Sequence, residues 1–140
     1  MTLLLDAGPL VAAADRRDPQ HGAAAALLRS YPGRLVIPAP VSAEVDYLLA
    51  RRLGETARRA FLEDLAAGRL AVECLRDDEY ALVAQLERTY ADLAPGLADL
   101  SLVVLASRLD TRRLATFDLR HFRALRPLAG GAFELLPELR

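Results

Sequence analysis

The sequence has 140 residues, of which 53% are hydrophobic, and its mean hydropathy is +0.16. A chain of this length and composition can bury a core and is not disordered. We expect one domain that spans residues 1–140. The formal net charge is −1, so a nucleic-acid site would depend on local positive charge and not on a global basic field.

Several residue types exclude classes of chemistry. All 18 lysine-or-arginine positions hold arginine, which excludes a P-loop and a Schiff-base enzyme, since both need lysine. One cysteine, Cys74, excludes an internal disulfide, and its apolar surroundings predict a buried core residue. Two histidines argue against a His-rich zinc site. No basic leader precedes the N-terminal apolar residues and no apolar run is of membrane-spanning length, so we expect a cytoplasmic protein.

The first half of the chain alternates short apolar runs with helical patterns. The run Thr2–Leu5 predicts a strand, and helices are expected to begin near Pro9 and Pro19, because proline is favoured at the first helical position. A second strand is predicted over Arg34–Ile37. The following helix is expected to begin at Pro40, with a buried stripe at helical spacing that comprises Val41, Val45, Leu48 and Leu49.

The second half continues the alternation. A helix with Phe61, Leu62 and Leu65 on its inner face is expected to end at Gly68. Further strands are predicted over Leu70–Leu75, Arg113–Thr116 and Ala132–Leu135. Further helices are predicted over Asp77–Tyr90 and Leu97–Leu109, the latter apolar on nearly every side and therefore central. The pattern predicts an α/β fold: a parallel sheet of about five strands with helices on both faces.

Four acidic residues each lie where an apolar strand or break gives way to a helix: Asp6, Glu44, Asp99 and Asp118. Ligands of an open parallel sheet bind outside the carboxyl ends of its strands. Four carboxylates at that edge would repel one another without a divalent cation, and Mg²⁺ prefers oxygen ligands. This arrangement favours metal-assisted phosphoryl chemistry on a nucleic acid.

Each acid also has a structural explanation. Aspartate is favoured at helix N-caps, and an acid in the first turn is stabilised by the helix dipole. Taken alone, each of the four fits one of these roles, but capping does not explain why all four fall at the same edge of the sheet. The two roles are compatible, since a helix dipole keeps a carboxylate ionised.

The segments around these acids resemble a known family. They are Leu4-Leu5-Asp6-Ala7-Gly8-Pro9, Val41-Ser42-Ala43-Glu44-Val45, Gly96-Leu97-Ala98-Asp99 and Leu114-Ala115-Thr116-Phe117-Asp118-Leu119-Arg120-His121-Phe122. In this order, they make the chain similar to a PIN domain, and specifically to the VapC-type toxins of bacterial toxin–antitoxin pairs. The resemblance implies an endoribonuclease that depends on Mg²⁺ or Mn²⁺, forms a homodimer, acts on RNA and is neutralised by a cognate antitoxin.

The resemblance also implies roles for the site residues. It makes Asp6, Asp99 and Asp118 the metal ligands, with Asp6 and Asp99 the direct ones. Glu44 would position the attacking water or bind the metal through water. Thr116 would orient Asp6 by a hydrogen bond from the adjacent strand.

Two positions depart from the family pattern. Gly8 stands where relatives often have serine or asparagine, which removes one polar contact or leaves it to a backbone amide. Leu100 follows Asp99 where relatives often have alanine, a bulkier choice beside the site. These departures bear on catalytic rate and metal preference more than on activity itself.

Arginine is the residue suited to RNA phosphate, and the C-terminal third is rich in it. Arg120 and His121 are the predicted substrate contacts, although an exposed loop of a lysine-free protein carries arginine in any case. The pairs Arg51-Arg52 and Arg58-Arg59 are interpreted as a solvent face or an antitoxin surface.

Two other functions remain open at this point. One is a non-catalytic RNA-binding or partner-binding module that keeps the fold, which Gly8 and Leu100 slightly favour. The other is a receiver-like phosphoacceptor domain, which is remote because such domains depend on a lysine that this chain lacks.

Overall fold

In a computed structural model, residues 1–138 are described and form an α/β protein. Its strands are β1 (Thr2–Leu5), β2 (Arg34–Pro38), β3 (Ala71–Glu73), β4 (Arg113–Ala115) and β5 (Glu134–Leu136). Its helices are α1 (Ala7–Ala14), α2 (His21–Ser30), α3 (Ala39–Arg52), α4 (Glu55–Ala66), α5 (Glu79–Thr89), α6 (Leu97–Arg108) and α7 (Leu119–Ala124), with a 3-10 turn at Ala91–Leu93.

The five strands form one sheet in the order β3-β2-β1-β4-β5, with every pair parallel. The chain runs from β1 outward through β2 to β3, then returns to the other side of β1 for β4 and β5. Right-handed crossovers in opposite directions place helices on both faces of the sheet, as predicted. Strand order therefore reverses between β1 and β4, the position where open α/β sheets bind their ligands.

Local chemistry sets the helix starts near this position. The side chain of Asp6 accepts a hydrogen bond from the amide of Ala7, so α1 begins two residues before the predicted Pro9. Similarly, α2 begins at His21 and not at Pro19. Pro40 lies in the first turn of α3, as predicted, where a missing N–H costs nothing.

The core lies between the sheet and its helices. Leu3, Leu4 and Leu5 of β1 are fully buried, because β1 is the central strand. The predicted central helix α6 is confirmed, since its residues from Leu100 to Ala106 are all buried. Helix α6 packs against β1, β2 and α3, which brings the start of α6 to the carboxyl edge of the sheet.

Two expectations were wrong. Cys74 is exposed and not part of the core, because β3 is a short edge strand and only the ends of the predicted run, Leu70 and Leu75, are buried. Leu62, expected on the inner face of α4, is largely exposed, while Phe61 beside it is buried. The segment Leu119–Ala124 is a short helix that Asp118 caps, in agreement with the predicted place of Asp118 where a strand gives way to a helix. In the described part of the chain, no helix is both long and apolar enough to cross a membrane.

Candidate functional site

Asp6 lies at the end of the central strand and is fixed by three hydrogen bonds. Its amide donates to the carbonyl of Ala115 at 2.9 Å, which continues the β1–β4 ladder. Its Oδ1 accepts from the amide of Ala7 at 2.8 Å, and its Oδ2 accepts from the hydroxyl of Thr116 at 2.8 Å. Asp6 is therefore both a helix cap and a carboxylate held at the switch point of the sheet.

Thr116 links two of the acidic residues. Its side chain is fully buried, and while its hydroxyl donates to Asp6 it accepts a hydrogen bond from the amide of Asp118 at 3.0 Å. The predicted hydrogen bond from Thr116 to Asp6 is thus confirmed. The buried hydroxyl has a partner for both its donor and its acceptor function, so it has one preferred orientation.

Asp118 is the N-cap of α7. Its Oδ1 accepts from the amide of His121 at 3.1 Å, and its Oδ2 is in close contact with Nδ1 of the same histidine. The other ring nitrogen of His121, Nε2, lies 3.2 Å from the carbonyl of Leu93. His121 therefore connects Asp118 to the 3-10 turn that precedes α6.

Asp99 lies in the first turn of α6. Its Oδ2 accepts a hydrogen bond from the amide of Gly96, the N-cap, at 3.2 Å. An acid at this position is stabilised by the positive end of the helix. Asp99 therefore stabilises the start of α6, as considered from the sequence, and the same hydrogen bond holds its carboxylate at the cleft.

Helix α3 provides the opposite wall of the site. Glu44, Leu48 and Arg52 follow at intervals of four residues and so share one face of the helix; all three line the cleft. Glu44 is exposed at the mouth of the cleft.

The cleft has a volume of about 400 Å³ and brings all four predicted acids together. It is lined by Asp6, Ala7, Gly8, Glu44, Leu48, Arg52, Gly96, Ala98, Asp99, Phe117 and Asp118. A separate groove between α1, α2 and α4 is more apolar than the acidic cleft. Its lining includes Leu10, Leu28 and Phe61. The acidic cleft carries the candidate chemistry, because it combines polar side chains with the switch point of the sheet.

Burial and mutual repulsion raise the pKa values of the acids in the cleft. Burial raises the pKa of Asp6, and the charges of Asp99 and Asp118 raise it further, although the hydrogen bonds from Thr116 and Ala7 act in the opposite direction. Burial and the neighbouring Asp118 likewise raise the pKa of Asp99, against the hydrogen bond from Gly96 and the charge of His121.

At the mouth of the cleft, burial of part of the side chain, followed by the charges of Asp6 and Asp99, raises the pKa of Glu44. Burial is the largest cause of the raised pKa of all three carboxyl groups, and the mutual repulsion of the acids adds to it.

The donor set fits a hard divalent cation, since it consists of carboxylate oxygens. Among residues 1–138, however, no group of three or more His, Cys, Asp or Glu side chains is arranged to hold an ion as it stands. Mg²⁺ keeps several waters and takes one or two protein carboxylates. A partly hydrated ion therefore suits this cleft better than an all-protein cage.

The predicted substrate residues, Arg120 and His121, lie beside the cleft and not in its lining. Arg120 is exposed on α7. His121 is half-buried and engaged with Asp118 and Leu93, an arrangement suited to orienting Asp118. Contact with RNA stays a prediction for both residues.

The two departures from the family pattern differ in consequence. Gly8 lines the cleft, and a Cβ added there would lie 3.4 Å from Cδ2 of Phe117, an ordinary contact. The space for a polar side chain is thus present although the side chain is not. Leu100 is buried in the core, so the expectation that its bulk crowds the site was wrong.

Sequence reasoning missed one charged residue of the cleft. Arg52 was assigned to a solvent or antitoxin surface, and it is exposed, but its place in the cleft lining beside the acids was not predicted. The signal that could have found it is the four-residue spacing from Glu44 through Leu48.

Comparison with known proteins agrees with this geometry. The family model of the PIN domain matches residues 3–126. Ribonuclease VapC26 of Mycobacterium tuberculosis is 38% identical over 135 residues, which cover 96% of this chain and all of that protein.

Two solved structures share the fold. The crystal structure of VapC20 from Mycobacterium tuberculosis, described as a sarcin-ricin loop cleaving toxin, superposes with a TM-score of 0.80 at 20% identity, covering 87% of this chain and 94% of that one. VapBC2 from Rickettsia felis, bound to a DNA fragment from its promoter, gives a TM-score of 0.68 at 18% identity, with coverage of 96% and 98%. The chain therefore belongs to the PIN domain family, and its full-length similarity is to a VapC ribonuclease.

Proposed function

We propose that this protein is a metal-dependent endoribonuclease that acts as the toxin of a toxin–antitoxin pair. The observation that carries the proposal is the cleft at the β1–β4 switch point, where Asp6, Glu44, Asp99 and Asp118 lie together. The name of the relative that is 38% identical, a ribonuclease of the VapC type, supports RNA as the substrate.

The cation, Mg²⁺ or Mn²⁺, would be held by Asp6, Asp99 and Asp118. When bound, it would offset the charge of the phosphodiester and lower the pKa of a water. Its positive charge would also relieve the repulsion that raises the pKa of Asp6 and Asp99.

The other residues of the site act around these ligands. Glu44, with its raised pKa, is suited to accept a proton from the attacking water, since general bases work best when their pKa approaches the working pH. Thr116 fixes the orientation of Asp6, and His121 fixes that of Asp118. Arg120 and His121 border the cleft on the side of α7, from which they would contact the RNA backbone.

The partners follow from the same assignment. We propose that a cognate antitoxin covers the acidic cleft, where an arginine from the antitoxin would pair with the carboxylates. We further propose that the whole chain is one domain, that it forms a homodimer and that it acts in the cytoplasm.

The test uses purified protein, freed of any partner, with end-labelled single-stranded RNA and matched DNA. We expect RNA cleavage in Mn²⁺ or Mg²⁺, none in EDTA, and none in the variants Asp6→Asn and Asp99→Asn. Asp46→Asn is the matched control, since Asp46 lies on α3 near Glu44 but pairs with Arg58 outside the cleft. Cleavage that survives EDTA would contradict the proposal.

The alternative is a non-catalytic RNA-binding or partner-binding module. The missing side chain at Gly8 favours it. Binding of RNA without cleavage, together with a melting temperature that does not respond to Mn²⁺ or Mg²⁺, would establish it.

A further inference from the structure

The acidic cleft contains one arginine. Arg52 is the only lysine, arginine or histidine among the described residues that line it. An anionic substrate that enters the cleft is repelled by its four carboxylates. The position of Arg52 is therefore where local positive charge is needed.

The geometry of α3 directs Arg52 toward the reactive part of the cleft. Glu44 and Arg52 are eight residues apart, or about 12 Å along the helix axis, on the same face. Side chains of a helix lean toward its N-terminus, so we expect the side chain of Arg52 to extend in the direction of Glu44. The two residues thus flank Leu48 along one wall of the cleft.

Arg52 is also free to bind a substrate. No ion pair among residues 1–138 includes it. By contrast, Arg58 on the neighbouring helix pairs with both Asp46 and Glu55. The guanidinium of Arg52 therefore keeps its donors for a ligand, and a guanidinium binds a phosphate group through two parallel hydrogen bonds.

We infer that Arg52 binds a phosphate group of single-stranded RNA adjacent to the one that is cleaved, and so sets the position of the strand in the cleft. The inference rests on the proposed ribonuclease function. If Arg52 binds this phosphate, the RNA strand runs along α3, and Arg52 adds to the contacts predicted for Arg120 and His121 on α7. Arg52 is exposed, as the assignment to a solvent or antitoxin face predicts, and the inference adds a contact with the substrate.

Arg52 also has a structural role at the end of α3, and this role can be measured separately from RNA binding. Both Arg51 and Arg52 lie in the last turn of α3, where a positive charge stabilises the helix dipole. Arg51 is exposed and does not line the cleft. Arg51→Ala therefore removes the same charge from the same turn without removing the proposed contact, and it is the matched control.

The experiment measures binding of a fluorescein-labelled single-stranded RNA of mixed sequence by anisotropy, in Mn²⁺ and from 50 to 200 mM NaCl. All proteins carry Glu44→Gln, so that the RNA stays intact. We expect Arg52→Ala to weaken binding about tenfold and to reduce the slope of log K against log salt by about 0.7, the value for one phosphate contact on a single strand. Arg52→Lys should keep the slope, and Arg51→Ala should keep both.

Cleavage by the same variants without Glu44→Gln separates the two proposals. We expect Arg52→Ala to raise KM with little change in kcat, because the lost contact would bind the substrate and the transition state equally well. Equal salt slopes for Arg52→Ala and Arg51→Ala, with cleavage by wild type, would overturn the role of Arg52 alone. Wild type that neither binds nor cleaves RNA in Mn²⁺ would overturn both proposals.

Discussion

The hydroxyl of Thr116 donates to Oδ2 of Asp6 across the β1–β4 boundary at a distance of 2.8 Å. The two residues are 110 positions apart in the chain, and the bond forms because β1 and β4 are neighbours in the sheet. The same hydroxyl accepts from the amide of Asp118. One buried side chain therefore fixes the spacing of two acids in the cleft.

Replacing this hydroxyl tests its importance. Thr116→Val keeps the shape of the side chain but leaves Oδ2 of Asp6 and the amide of Asp118 without a partner, so we expect a loss of about 1–3 kcal/mol in unfolding free energy. We also expect weaker Mn²⁺ binding, since a ligand would lose its orientation. Urea denaturation in EDTA and Mn²⁺ titration measure the two effects.

Thr116→Ser is the control, because serine keeps the hydroxyl. It should retain most of the Mn²⁺ affinity. If Thr116→Val and Thr116→Ser bind Mn²⁺ equally well, the hydrogen bond to Asp6 does not orient a metal ligand.

Removing a charge from the cleft should stabilise the metal-free protein. The folded-state pKa of Glu44 is raised, so the native state binds more protons than the unfolded state between the two pKa values. Stability is then lost as the pH rises through the folded pKa. Glu44→Gln removes this loss, and we expect its Tm at pH 8 in EDTA to rise by up to about 3 °C, a small effect because Glu44 is exposed.

The difference in Tm should vanish below the unfolded pKa of glutamate, where both proteins are uncharged at this position. Asp46→Asn should show the opposite sign at pH 8, since it breaks the pair with Arg58. A Tm for Glu44→Gln below that of wild type at pH 8 would contradict the repulsion inferred for the cleft.

Metal should stabilise the protein in a pH-dependent way. We expect Mn²⁺ at one hundred times its Kd to add about 2.7 kcal/mol to the unfolding free energy. The pKa values of Asp6 and Asp99 are raised, so protons compete with the metal and the apparent affinity should fall as the pH is lowered toward those values. Calorimetric titration at several pH values measures this, and an affinity independent of pH would exclude both residues as ligands.

His121 should stabilise the fold most at low pH. Its hydrogen bond to Asp118 is the largest cause that raises its pKa, followed in the same direction by the contact with the carbonyl of Leu93. A raised histidine pKa gives stability that is fully present below the unfolded value and lost as the pH rises through the folded value.

The variant His121→Gln should therefore lose about 1 kcal/mol relative to wild type at pH 5.5 and less at pH 9. Urea denaturation in EDTA measures both losses. Arg120→Gln, an exposed neighbour on α7, should give the same small change at both pH values. A loss for His121→Gln that is larger at pH 9 would show that the protonated ring does not hold Asp118.

Much of the site was predictable because its parts are local. Asp6, Asp99 and Asp118 each accept a hydrogen bond from an amide within three residues, and such caps follow from residue type and position. The extent of helix α7 was not predicted because its six residues carry too little periodicity, although Asp118 was recognised as an acid that precedes a helix.

Exposure was harder to predict than secondary structure. The run that contains Cys74 has the composition of a buried strand, and only the place of β3 at the edge of the sheet leaves Cys74 in solvent. Leu100 follows a cleft residue in sequence but points into the core, because successive residues of a helix face directions about 100° apart.

The sequence by itself determined the strands and most of the helices, since hydrophobic period and capping chemistry act over a few residues. It also determined the four acids that lie where the helices begin. Only the tertiary structure decided which strands are neighbours. The order β3-β2-β1-β4-β5 places Thr116 against Asp6 and closes the cleft around the acids, with Arg52 at its rim. These contacts join residues far apart in the chain, so they depend on how the whole sheet and its helices pack and not on any local pattern.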